Sequence, residues 1–180
     1  MLERDFGYTP AIPEELGEQY EAALGQVSRW KNGIWKEDIH ETDWQHVFVM
    51  FRVLEDIKKS CPTLPSDINL QTVQDMIYVH DLGEIDPRIG DLTHNRNDYN
   101  DIYDEWKRRE HITGKWIIRR EIKDRDTRLK AMKLYIRCFE KKREDKEALL
   151  TDFIDKTHGS RFGFENVFHG RRKGVTRAFR

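Results

Sequence analysis

The sequence predicts an all-α domain of about six helices. Three observations carry that expectation. Apolar residues recur at offsets of three and four through most of the chain, the period of one helix face. No run alternates apolar and polar residues as a half-buried strand does. Proline and glycine are sparse, 5 and 11 among 180 residues, and they fall where turns are expected.

Taken in order, residues 14–27 form the first expected helix, with Leu16, Tyr20, Ala23, Leu24 and Val27 along one side. Lys31-Asn32-Gly33 breaks it. Thr42 is an N-cap candidate, and Gln45 three residues later completes a capping box. A long helix follows to about Lys59, striped by Trp44, Val47, Phe48, Phe51 and Leu54. After a loop with two prolines, a third helix runs from about Leu70 to His80, with Val73, Met76, Ile77 and His80 in line. Residues 83–97 read as loop. Residues 98–122, 127–142 and 146–157 complete the set, and the last twenty or so residues show no clean period.

Hydrophobic residues make up 37% of the chain and charged residues 36%, so charge alone would suit a disordered segment. The 20 aromatic residues oppose that reading, and 180 residues suffice for one domain with its own core. Cys61 and Cys138 match no zinc or haem spacing and are expected to be two reduced thiols. The N-terminus is charged, with no apolar stretch behind it, and no segment nears the roughly 18 apolar residues of a membrane span. A cytoplasmic protein without membrane contact is expected. Charge is uneven. Residues 159–180 carry six basic side chains and one acid, leaving 26 basic and 32 acidic in residues 1–158. We therefore expect an acidic domain over 1–158 and a basic tail over 159–180.

The chemistry concentrates at the third helix. His80 stands where the apolar stripe calls for a hydrophobe, and a buried imidazole needs a partner for each nitrogen. Asp81 follows directly and Glu84 lies one turn on, at a helix end whose dipole favours a cation. His46 lies on the flank of the preceding helix's apolar face, within reach of His80 if the two helices pack antiparallel. Asp152 and Asp155 stand on the last helix of the domain. Each residue alone reads more simply as a core histidine or a surface acid. Together, two imidazoles and carboxylates form a mixed nitrogen–oxygen set suited to one divalent ion of Mn, Co, Fe, Ni or Zn.

The order His46 … His80-Asp81 … Asp155 resembles the signature of the HD-domain metal-dependent phosphohydrolases. In that family the first three are metal ligands and a late aspartate closes the set. Asp155, followed by Lys156, is the better match for it, with Asp152 as competitor. Arg29-Trp30, Glu41, Glu84 and Gly90-Asp91-Leu92-Thr93 are similar to features of the bacterial 5′-deoxynucleotidase branch. The last run lacks the branch's proline and is displaced by two residues. The likeness spans roughly residues 28–158, and the basic tail has no counterpart in it.

The resemblance implies a helical bundle that hydrolyses a phosphate ester or anhydride of a (deoxy)nucleotide. A divalent metal lowers the pKa of water bound to it and polarises a phosphoryl oxygen. Glu84 and Asp91 would orient or deprotonate that water. Arg29 would grip phosphate through paired hydrogen bonds, Trp30 would stack on sugar or base, and Thr93 would line the substrate site. His94, His111, His158 and His169 are the residues left for a second metal, but only His94 and His111 fall in the required interval, and they fit it poorly. Ile85 after Glu84 opposes the (p)ppGpp hydrolases, which carry an acid there. The expected partner is a small-molecule nucleotide, with a homodimer or higher homo-oligomer as a further expectation. Two alternatives stand beside this. One is a triphosphohydrolase rather than a monophosphatase. The other is a non-catalytic scaffold whose tail, interleaving Phe162, Phe164, Phe168 and Phe179 with arginines, contacts nucleic acid.

Overall fold

The computed structural model describes residues 11–28, 41–61, 64–86, 88–89, 100–140 and 144–168. Among them are six α-helices and no strand: α1 (Ala11–Leu24), α2 (Asp43–Ser60), α3 (Leu70–Val79), α4 (Asn100–Glu121), α5 (Arg125–Glu140) and α6 (Lys146–Phe168). A short 3₁₀ turn, Leu82–Ile85, follows α3. The all-α expectation holds, and so does the number of helices.

Local chemistry sets most of the starts. Thr42 caps α2 with the capping box expected: its Oγ1 accepts from Gln45 N at 3.2 Å, and Gln45 Oε1 accepts from Thr42 N at 2.8 Å. Asn69 caps α3, its Oδ1 accepting from Thr72 N at 3.0 Å. Asp124 and Asp145 do the same for α5 and α6.

Two helices differ from expectation. α1 runs from Ala11 to Leu24, three residues earlier at each end than the 14–27 expected, with Pro13 in its first turn, where a missing N–H leaves no bond unmade. α6 continues through Phe168 rather than stopping near 157. Gly159 and Gly163 each weaken a helix by about 1 kcal/mol without ending it. The expected boundary at 158 therefore falls inside one continuous helix.

α3 is the central element. All seven residues from Val73 to Val79 are buried, the mark of a helix covered on every side. α2, α5 and α6 pack around it. α1 is tied to it where Tyr20 Oη donates to Tyr78 O at 2.7 Å. α4 lies across the 3₁₀ turn and α5. Two glycines permit that crossing. A Cβ on Gly83 would stand 2.2 Å from Glu110 O, and one on Gly114 would stand 2.1 Å from Tyr135 Oη. The latter hydroxyl donates to Glu110 O at 3.1 Å. No helix among the described residues is long and apolar enough to cross a membrane. Cys61 is exposed, Cys138 is buried, and both are free thiols.

Candidate metal centre

Three helices contribute to one cluster: His46, His80 and Asp81 lie close together, and Asp155 reaches it through His46. His46 comes from the first turn of α2. It is fully buried rather than on the flank of the apolar face, sharing the inward side with Asp43, Val47 and Met50. His80 and Asp81 come from the end of α3, where the helix stops at Val79 and the chain turns. Asp155 comes from α6.

His80 Nε2 lies 2.9 Å from Asp81 Oδ2 and 3.3 Å from His46 Nε2. His46 Nε2 lies 3.1 Å from Asp155 Oδ1 and 3.8 Å from Asp81 Oδ2. Metal–ligand bonds of about 2.0–2.2 Å place neighbouring donors about 3–3.5 Å apart, so the spacing fits a shared first-row cation. His46, His80 and Asp81 could hold a metal ion, and so could the adjoining trio Asp43, Asp81 and Glu84, whose carboxylate oxygens lie within 4.8 Å of one another.

The remaining ring nitrogens are also placed. His80 Nδ1 donates to Ile77 O at 2.7 Å, which leaves the lone pair on Nε2, the atom facing the cluster. His46 Nδ1 meets His158 Nδ1 at 2.7 Å. Burial lowers the His80 pKa, but Asp81 at 2.9 Å and then Asp155 outweigh it and hold the value above the usual histidine range. Burial likewise raises Asp155, and the imidazole of His46 more than offsets it, holding that carboxyl well below its usual value. The two shifts are reciprocal: the carboxylates favour a charged imidazole, and the imidazoles favour a charged carboxylate.

Asp152, the competitor for the closing position, pairs with Lys156 one turn along α6. Asp155 is the carboxylate whose Oδ1 meets His46 Nε2. Glu84 is buried in the 3₁₀ turn, with Lys107 Nζ 3.9 Å from its Oε1 and 2.5 Å from Glu110 Oε2. Burial pulls the Lys107 pKa down, and Glu110 and Glu84 outweigh that and raise it. Arg29, Trp30, Asp91, Thr93, His94 and His169 lie outside the described residues. His111 is not at this centre. It pairs with Glu140 at 3.1 Å and stacks on Tyr135.

His158, for which the sequence suggested no role at this centre, stands behind His46, its Nδ1 2.7 Å from His46 Nδ1. Its spacing carried a hint: Thr151, Ile154 and His158 share one face of a helix at offsets of three and four, and all three are buried. Its partner Glu41 was read only as a point of resemblance.

No family model matches the chain, and neither the curated proteins nor the solved structures searched include a similar one.

Proposed function

We propose that the chain is a metal-dependent phosphohydrolase of the HD-domain kind, acting on nucleotides. The observation that carries this reading is the cluster of His46, His80 and Asp81, with Asp155 against His46 and with His80 oriented through Nδ1 so that Nε2 faces His46 and Asp81. These four would hold one divalent ion, Mn, Co, Fe, Ni or Zn. When bound, that ion supplies Lewis acidity toward a phosphoryl oxygen and acidifies water.

The chain's own residues supply the rest. Glu84 is buried beside Asp81, within the trio whose oxygens lie within 4.8 Å of one another. Its role would be to accept a proton from the attacking water at a carboxylate oxygen. Lys107, shared between Glu84 and Glu110, holds that carboxylate in position. The resemblance assigns phosphate contact to Arg29, stacking to Trp30, and support of the water and substrate to Asp91 and Thr93. A set of two imidazoles and two carboxylates gathered in the helix core, His46 and Asp81 buried, also favours an enzyme over a scaffold, since a nucleic-acid-binding tail has no need of it.

The test is a screen of nucleoside mono-, di- and triphosphates with Mn²⁺, Co²⁺ and Mg²⁺, assayed for phosphate and pyrophosphate. The reading expects metal-dependent release that disappears in His80→Ala/Asp81→Ala. Release at equal rates from both proteins would overturn it.

A further inference from the structure

We propose that Glu41 and His158 form a supporting dyad that aims His46 at a divalent transition metal and keeps its Nε2 lone pair available. The inference rests on the metal-centre reading above and adds two residues that touch no ligand position themselves.

The geometry is a chain of three side chains. Glu41 precedes the cap of α2, and its Oε1 lies 3.0 Å from His158 Nε2. His158 Nδ1 lies 2.7 Å from His46 Nδ1. His46 Nε2 then faces His80, Asp81 and Asp155. All three members are buried, Glu41 at 7%, His158 at 4% and His46 at 0% exposure.

Hydrogen-bond chemistry gives this chain a direction. An ionised carboxylate only accepts, so His158 donates to Glu41 from Nε2. A neutral imidazole that donates at Nε2 has its lone pair on Nδ1. His158 Nδ1 therefore accepts, and His46 Nδ1 donates to it. That leaves the His46 lone pair on Nε2, at the point where the other ligand atoms meet. The opposite order, with His46 Nε2 donating to Asp155, would remove His46 from the ligand set. Glu41 selects between the two by accepting the hydrogen bond at the far end. Backbone contacts anchor it: Thr42 pairs with Ser28, and Asp43 N donates to Val27 O at 3.1 Å. His80 receives the equivalent support from a backbone carbonyl, Ile77 O. Both imidazoles are thus held through Nδ1 with Nε2 forward, by different means.

α6 contributes at two levels. Asp155 offers a ligand atom, and His158, three residues on, supports a ligand from another helix. The extension of α6 past residue 157 keeps His158 inside a continuous helix.

The test measures Co²⁺ binding to the full-length chain by calorimetry, with circular dichroism melts of the metal-free protein. His158→Leu and Glu41→Leu remove the acceptors, and each should weaken Co²⁺ about 10–100-fold, the usual effect of losing such a partner. His158→Asn restores an amide oxygen near the position of Nδ1 and should recover most of the loss. If His158→Leu does not fold, Glu41→Leu carries the comparison. Wild-type affinity in a folded leucine variant would overturn the proposal, as would an asparagine variant no better than leucine, since packing alone would then explain the effect. Absence of Co²⁺ uptake by the wild type, matched by His80→Ala, would instead overturn the metal centre itself and the dyad with it.

Discussion

At the corner between α5 and α6, Arg137 Nη2 reaches Asp145 Oδ1 at 2.9 Å and Glu147 Oε2 at 2.8 Å. Further along α6, Asp155 Oδ1 faces a buried imidazole nitrogen at 3.1 Å. Both networks join helices through carboxylates. They differ in what opposes the negative charge. The corner has a guanidinium, always charged and matched in shape to two carboxylates. The centre sets two imidazoles against carboxylate oxygens, a group that could hold a cation. Substitution should therefore cost stability at the corner and metal binding at the centre.

The largest expected effect is on metal content. Purified wild-type chain should carry about one transition-metal ion, and His80→Ala/Asp81→Ala should carry essentially none. Elemental analysis after gel filtration decides it, and full occupancy in the double variant would erase the contrast with the corner. Within the centre, Asp155→Ala should lose metal-dependent turnover while Asp152→Ala stays mild, because Asp155 meets His46 Nε2 and Asp152 pairs with Lys156; the reverse ranking would make Asp152 the closing ligand.

Glu84→Gln should lower kcat about 10²–10⁴-fold with KM and metal content nearly unchanged, the pattern of a group used in the transition state. Turnover at the wild-type rate on the best substrate would remove Glu84 from the chemistry. Gly83→Ala should destabilise the fold by about 1–3 kcal/mol through overpacking, since its Cβ would press on the Glu110 carbonyl. Urea unfolding reads this directly.

The smallest effect belongs to the corner. Asp145→Ala removes the cap of α6 and should cost about 1 kcal/mol, with metal content untouched. Its pH dependence has a definite sign. Burial raises the Asp145 pKa, but Arg137 and the Ala148 amide outweigh that and hold it below the ordinary 3.8. A depressed folded value means that the contribution is complete above the unfolded pKa and is lost as pH falls through the folded one. Wild type and variant should therefore differ in melting temperature at pH 6 and converge below about pH 4. A gap that persists at pH 2 would locate the effect elsewhere.

The helices were legible in the sequence because their apolar faces repeat at offsets of three and four, as Val47, Phe51 and Leu54 do. Thr42 and Gln45 marked the start of α2 for the same local reason. His80 drew notice because it breaks such a stripe. The end of α6 was hidden, since residues 159–168 carry no periodic apolar signal while the backbone remains helical. Asp155 was separable from Asp152 only through the family order, because the two stand three residues apart on one helix. The dyad was hidden more deeply. His158 lies 112 residues from His46, and only the packing of α6 against α2 brings them together.

The most direct test of the central claim is anomalous diffraction from crystals of the chain grown with Co²⁺ or Zn²⁺. The account predicts a single strong peak at bonding distance from His46 Nε2, His80 Nε2, an Asp81 oxygen and an Asp155 oxygen. Density at that point with no anomalous signal, or a metal bound only at other residues, would contradict it.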